Sequence, residues 1–228
     1  MSESVGSMEQ AAVHSAVLVQ GQPVAEYPEL APEADRGSLR EITEVGAEVL
    51  HHPCHEVVDF GTQQLRDLID DMFLTMYVAE GVGLAANQVG VDLRVFVFDC
   101  PDDEGVRHVG HIVNPVVHTP AEDRRLTVDT EGCLSVPGPH ADLARAEAAT
   151  VRGWDRDGAE LELSGTGYFA RCLQHETDHL NGKLYIDRLP RRQRSRVLKR
   201  MDQLREDVLA RRAQRALELA QEPDSQSP

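Results

Sequence analysis

Two histidines with a glutamate between them form the segment most suggestive of chemistry, at residues 174–179 (Gln-His-Glu-Thr-Asp-His). Residues four apart lie on one face of a helix, so the imidazoles of His175 and His179 can reach one metal ion. Glu176 would then lie beside the open position of that ion, where a carboxylate can take a proton from water. The spacing favours a metal site over a solvated helix face with two ordinary histidines.

The third ligand decides which reaction such a site could catalyse. No histidine follows His179, and Tyr185 stands where a three-histidine metalloprotease pattern needs its last ligand. Glu206 could complete an endopeptidase site, although the arginines around it in the sequence favour a surface ion pair. Cys133 offers a thiolate, a strong ligand for Zn²⁺ or Fe²⁺, unless it is only a small buried side chain.

Three segments in a fixed order distinguish between these possibilities. They are Gly-Val-Gly-Leu-Ala-Ala-Asn-Gln at residues 81–88, Glu-Gly-Cys-Leu-Ser at 131–135 and Gln-His-Glu-Thr-Asp-His-Leu-Asn-Gly at 174–182. Together they resemble peptide deformylase at every fixed position of its three motifs, and the resemblance runs from about residue 40 to about residue 212. It implies metal-dependent hydrolysis of the N-formyl group from the initiator methionine of new polypeptides, with release of formate.

The residues and the resemblance together give each site residue a predicted role. Three ligands are predicted for the metal: Cys133, His175 and His179. Glu176 would be the general base and would carry the proton to the leaving amine. At positions that match the family, the Gln88 side-chain amide and the Leu134 backbone N–H would stabilise the negative oxygen of the tetrahedral intermediate.

The resemblance also implies a site for the methionine and the peptide that follows it. Three residues occupy family positions in the apolar methionine pocket: Val82, Tyr168 and Cys172. Main-chain groups of Val82 and Gly132 would hold the substrate as an added strand, and Gly83 would let its backbone approach closely. Arg171 stands at the rim of this pocket, where an apolar residue is common in the family.

The ligand set restricts the metal without naming it. One thiolate and two imidazoles suit Fe²⁺, Zn²⁺ or Ni²⁺. The resemblance favours Fe²⁺ as the physiological ion, with one divalent ion per chain.

Hydrophobic periodicity and turn residues predict the elements that position the site. A helix is expected at residues 62–79, a strand through residue 98, and short strands near 106–113, 116–117, 125–128, 149–154 and 160–163. The metal-site helix would be capped by Thr166 and end at Leu180. These elements predict an α+β fold of mostly antiparallel short strands around the central metal-binding helix, with an N-terminal helix and a basic C-terminal helix.

Composition divides the chain into four predicted parts. Residues 1–37 lack sustained periodicity and are predicted to be a flexible acidic tail. The catalytic domain would cover residues 38–189, a basic amphipathic helix residues 190–220, and a disordered tail residues 221–228. The helix carries an apolar stripe at helical spacing, formed by Val197, Met201, Leu204 and Val208.

Charge is distributed unevenly along the chain. The net charge is −16, yet residues 188–215 carry 11 basic and 3 acidic side chains. The resemblance implies that this basic helix could dock on the ribosome, although a solvated arginine face is an equal alternative. Without a basic leader, a membrane-length apolar run or a disulfide-type cysteine framework, the chain is expected to be a cytoplasmic monomer that acts on nascent formyl-methionine polypeptides.

Overall fold

The protein is described by a computed structural model that covers residues 16–119 and 125–221. Four α-helices lie in these ranges: α1 (Pro32–Arg36), α2 (Gln63–Val78), α3 (Gly167–Leu180) and α4 (Arg191–Gln221). The strands in these ranges are β1 (Val17–Val19), β2 (Gln22–Val24), β3 (Gly83–Ala85), β4 (Val95–Pro101), β5 (Arg107–His118), β6 (Leu126–Cys133), β7 (Val136–Ala146), β8 (Ala148–Trp154) and β9 (Glu160–Thr166). The predicted α+β class is confirmed.

The strands form two sheets that are almost entirely antiparallel. The larger sheet has the order β2-β1-β5-β4-β3, and β8 and β9 extend it from β5. Among the named strands of the described residues only β1 and β5 pair in parallel, whereas β6 and β7 form a separate two-stranded sheet. Strands β5 and β7 contain 12 and 11 residues and are longer than the strands that the sequence predicted in these regions. β7 was missed because Pro137, Gly138 and Pro139 conceal its alternation.

Helix α3 occupies the centre of the fold, as predicted. It packs against β3, β4, β5, β8 and β9, and 11 of its 14 residues are buried. Polar residues are therefore buried with the apolar ones, which is unusual unless they bind one another or a ligand. Thr166 is the N-cap residue, as predicted, but its side chain accepts no capping hydrogen bond.

The predicted N-terminal tail is partly folded, which corrects the assignment of residues 1–37 as flexible. β1 pairs with β5, β2 pairs with β1, and Ala31 and Ala34 are buried against α2. An ion pair of 2.8 Å between Arg36 Nε and Asp70 Oδ2 also joins α1 to α2. Strands of three residues and a helix of five are too short to give a periodic pattern. Gln221, the first residue of the predicted disordered tail 221–228, ends α4. Residues 1–15 and 222–228 lie outside the described residues.

The C-terminal helix is part of the folded body. α4 packs on β7, where Val197, Met201 and Val208 are buried. Gly138 lets α4 approach β7 closely, because a β-carbon at this position would lie 2.7 Å from the β-carbon of Leu204. None of the described helices has an apolar stretch long enough to cross a bilayer.

Candidate active site

Three potential metal ligands converge at the centre of the molecule. The thiol sulfur of Cys133 lies 3.2 Å from Nε2 of His179, and that nitrogen lies 3.1 Å from Nε2 of His175. All three donor atoms lie within 4.8 Å of one another. Glu206 is exposed on α4 and is not part of this cluster, so the structure does not favour the endopeptidase alternative.

Two elements carry the three potential ligands, and a third places Gln88 beside them. α3 supplies both histidines from one face, as their spacing predicts, and β6 ends at Cys133. The third element follows β3, where a short 3-10 helix (Ala86–Val89) carries Gln88. Asn87 fastens this helix to α3, because its Nδ2 donates to the carbonyl of His179 over 2.7 Å. The glycine motif therefore forms a strand and a helical turn rather than a simple loop.

A buried network of charges orients the first histidine. Nδ1 of His175 lies 2.5 Å from Oε1 of Glu131, which leaves Nε2 facing Cys133 and His179. Arg145 donates to both oxygens of Glu131 and to Asp178, so it joins the β6–β7 sheet to α3. Arg171 adds a bond of 3.1 Å to Glu131. Histidine ligands commonly donate their second nitrogen to a carboxylate in this way.

Burial and hydrogen bonds shift the pKa values of the residues in this network. Although burial raises it, hydrogen bonds from His175 and Arg145 hold the pKa of Glu131 well below its usual range. Burial lowers the pKa of His175, but hydrogen bonds to Cys133 and Glu131 outweigh it and raise that pKa overall. Burial lowers the pKa of His179. One sulfur and two ring nitrogens facing one another at hydrogen-bond distance form a donor set that fits a divalent cation, whose binding displaces the protons between them.

Glu176 is the second buried carboxylate of the site and has a different environment. Only 4 % of it is exposed, and its Oε2 has no hydrogen-bond partner within the described part of the chain. Burial raises the pKa of Glu176 to about 7. Gly83 makes room for it, because a β-carbon at that position would lie 2.5 Å from Oε1 of Glu176. The structure thus gives Gly83 a role toward Glu176 that the sequence did not suggest.

The two predicted oxyanion donors flank the sulfur of Cys133. Oε1 of Gln88 accepts the Ala85 backbone N–H over 2.9 Å, so its NH₂ group faces the metal ligands. Nε2 of Gln88 lies 3.6 Å from the Cys133 sulfur and 3.2 Å from Oγ of Ser135. Leu134 follows Cys133 in the two-residue turn between β6 and β7.

A cavity of about 350 Å³ opens from the metal ligands to the surface. All five predicted substrate-binding residues line it: Val82, Gly83, Gly132, Tyr168 and Cys172. Arg171, at the predicted pocket rim, is buried and bonded to Glu131 and the carbonyls of Leu143 and Thr127. Its charge is therefore neutralised inside the fold. Three residues of α4 that the sequence did not connect with the site also line the cavity: Val208, Arg211 and Arg212.

Comparison with known proteins agrees with this geometry. The family model for polypeptide deformylase matches residues 39–195, which is more than half of the chain. This chain belongs to the polypeptide deformylase family. Peptide deformylase 1 of Streptomyces avermitilis is 58% identical over 168 residues, covering 73% of this chain and 77% of the relative. The sequence-based identification as a deformylase, an amide hydrolase, is confirmed.

Solved deformylase structures share the fold. A crystal structure of peptide deformylase from Ehrlichia chaffeensis has a TM-score of 0.66 and 35% identity, covering 73% of this chain and 96% of that chain. A class I type b deformylase from Acinetobacter baumannii, solved with Met-Ala-Ser bound, has a TM-score of 0.61 and 30% identity. That comparison covers 67% of this chain and 99% of the solved one.

Glu131, Asn87 and Ser135 are parts of the site to which sequence reasoning gave no role, whereas Arg145 and Asp178 were expected to support the metal ligands by hydrogen bonds. Glu131 and Ser135 lie inside the Glu-Gly-Cys-Leu-Ser motif, next to residues that were recognised. A carboxylate two residues before a predicted ligand was the signal available for Glu131. Arg145 has no comparable local signal, because it meets Glu131 only across the β6–β7 pair.

Proposed function

We propose that this chain hydrolyses the amide bond between the formyl group and the methionine nitrogen of newly synthesised polypeptides, releasing formate. The observation that carries the proposal is the convergence of Cys133, His175 and His179 beside the buried Glu176 at the end of a cavity. Membership of the deformylase family supports the same reaction. The Acinetobacter baumannii deformylase binds Met-Ala-Ser, a peptide that corresponds to a deformylated product.

The three ligands would hold one divalent cation, with Fe²⁺ as the favoured ion and Zn²⁺ or Ni²⁺ as alternatives. A bound cation at such a site lowers the pKa of water and polarises a carbonyl group. Glu131 contributes by holding the ring of His175 with Nε2 toward the site.

Glu176 would move the proton. Because its pKa is about 7, it can accept a proton from water and later release it to a nitrogen at neutral pH. Water attacks the formyl carbon, the C–N bond breaks, and the proton held by Glu176 passes to the methionine nitrogen. Formate leaves as the second product.

Gln88 and Leu134 would stabilise the negative oxygen that forms during the attack. The NH₂ group of Gln88 is already oriented by Ala85 and does not need to reorganise. The tight turn after Cys133 places the Leu134 backbone next to the same ligand. Preformed donors of this kind typically contribute about 10²–10³ in rate.

The substrate would enter along the cavity. The methionine side chain would lie against Val82, Tyr168 and Cys172, which line one part of it. Main-chain groups of Val82 and Gly132 would pair with the peptide as an added strand. A β-carbon at Gly132 would lie 2.5 Å from the ring of His140, so a larger residue there would have to displace that exposed ring.

We expect the enzyme to be cytoplasmic and monomeric. The exposed face of α4 is its candidate contact with the ribosome. Arg192, Arg196 and Lys199 are exposed at helical spacing, opposite the buried Val197 and Met201. Truncating α4 would uncover the core, so charge reversal is the cleaner test. Glutamate at these three positions should reduce co-sedimentation with ribosomes at low salt, whereas Arg152→Glu on β8 should not.

The main experiment incubates anaerobically purified protein with formyl-Met-Ala-Ser and acetyl-Met-Ala-Ser and measures formate and acetate. Formate from the first peptide alone is expected. Cys133→Ala should abolish the activity together with metal binding. Release of internal peptide fragments instead, retained in Cys133→Ala, would establish the endopeptidase alternative and reject a deformylase.

A further inference from the structure

The last helix reaches the turn that carries the metal-binding thiol. Nη2 of Arg212 donates to the backbone carbonyl of Leu134 over 3.0 Å. Leu134 and Ser135 form the two-residue turn closed by the pair Cys133 and Val136. Arg212 lies outside residues 39–195, the part of the chain that matches the family model.

Contacts from several segments hold this turn in place, and α4 provides one of these contacts. The Val45 backbone N–H donates to the Ser135 carbonyl over 2.9 Å, and Gln88 donates to Oγ of Ser135 over 3.2 Å. The side chain of Leu134 packs against the glycine motif, because a β-carbon at Gly81 would lie 2.7 Å from its Cδ1. The carbonyl of Leu134 is held by Arg212.

The environment of Arg212 is unusual for an arginine on a surface helix. It is half-buried, and burial lowers its pKa. Within the described residues its guanidinium forms no ion pair with a carboxylate, and its Nε has no hydrogen-bond partner. A buried cation without an anionic partner is costly unless its remaining bonds are strong. The bond to Leu134 is therefore the main polar contact that the position offers.

We propose that Arg212 is a positioning residue, which holds the Cys133–Val136 turn so that the Leu134 N–H and the Cys133 sulfur keep their catalytic placement. The C-terminal helix thereby becomes part of the active-site scaffold. This inference rests on the proposed role of Leu134 in deformylation. Arg212 acts through the turn, since its observed bond is to the backbone carbonyl of Leu134.

Arg205 on the same helix provides a matched control. Its guanidinium binds Glu44 over 2.7 Å, which also ties α4 to the body, but the pair is partly exposed and neither side chain bonds to residues 133–136. Loss of Arg205 therefore tests whether losing a contact between α4 and the body is enough by itself to lower activity. Arg212→Lys keeps a positive donor at the same position on a slightly shorter side chain.

The experiment uses the full-length, metal-loaded chain and three variants: Arg212→Ala, Arg212→Lys and Arg205→Ala. Steady-state formate release from formyl-Met-Ala-Ser gives kcat and KM, and hydrogen–deuterium exchange reports the peptide that contains residues 133–136. Arg212→Ala should lower kcat about tenfold, because a displaced donor loses part of its usual contribution. KM should change by less than about twofold, and exchange in the turn should increase.

Arg212→Lys should recover part of kcat, and Arg205→Ala should leave kcat and exchange in the turn near wild type. The inference fails if Arg212→Ala leaves kcat unchanged, or raises KM alone, which would make Arg212 a substrate contact. It also fails if Arg205→Ala loses as much activity. An inactive wild-type chain would instead reject the proposed function, while the exchange measurement would still report the turn.

Discussion

Nδ1 of His175 lies 2.5 Å from Oε1 of Glu131, and this contact fixes which ring nitrogen faces the metal ligands. Glu131 also binds Arg145 and Arg171, so one buried carboxylate orients a predicted ligand and pairs with two buried cations. The ligand geometry and the stability of the fold therefore depend on the same residue.

Glu131→Gln should weaken the site and destabilise the protein together. We expect metal affinity to fall by about 10–100-fold, because the orienting partner of His175 loses its charge. The free energy of unfolding should fall by about 3–5 kcal/mol, since the buried Arg171 loses its anionic partner and Arg145 keeps only Asp178. Chelator competition and urea denaturation measure the two effects.

The matched control is Glu162→Gln, which breaks an exposed pair with Arg152. This substitution should lower the free energy of unfolding by less than about 1 kcal/mol and leave metal affinity unchanged. If both variants behaved alike, the special role of Glu131 would be disproved.

Glu176→Gln should separate catalysis from metal binding. Because the amide cannot accept a proton, formate release should fall by about 10²–10⁴-fold. Metal content by atomic absorption should stay at the wild-type level, since Glu176 is not one of the converging ligands. Substantial activity in this variant would exclude Glu176 as the general base.

Gly83→Ala should impair catalysis through Glu176. A β-carbon at position 83 would lie 2.5 Å from Oε1 of Glu176 and would displace the carboxylate. A shift of about 1 Å in a catalytic group can cost about 10² in rate, so kcat should fall by that order. Metal content should not change, and a crystal structure of the variant should show Glu176 in a new position. Wild-type kcat would contradict this role of Gly83.

His111 should make the fold sensitive to acid. Burial, followed by the charge of Arg156, lowers the pKa of His111 to about 4, while Asp155 and Asp157 act in the opposite direction. The Arg156 backbone N–H donates to Nε2 of His111, so the neutral ring is the form that fits. The unfolded chain binds this proton more readily, and stability is therefore lost as the pH falls below about 6.5.

Between pH 7 and pH 5 this histidine should account for about 2 kcal/mol of lost stability. Urea denaturation at both pH values should show a smaller loss in His111→Gln than in the wild type. His118→Gln, at an exposed position of the same strand, should behave like the wild type. An equal acid effect in wild type and His111→Gln would contradict the prediction.

The sequence predicted the three converging residues as ligands because the information for each of them is local. The spacing of His175 and His179 fixes a shared helix face, and Cys133 lies within a short motif. The long amphipathic stretches that became α2 and α4 were predictable for the same reason, since a sustained period of 3.6 residues identifies a helix. The α+β class followed from the order of these elements.

Tertiary structure decided what depends on contacts between distant segments. The folding of residues 16–37 comes from pairing with β5 and packing on α2, which no local pattern reports. The bonds of Arg145 to Glu131 and of Arg212 to Leu134 join residues 14 and 78 positions apart. Such pairs form only when strand pairing and helix packing bring the two segments together. The sequence therefore predicted the ligands and the reaction, whereas the tertiary structure determined which residues support them.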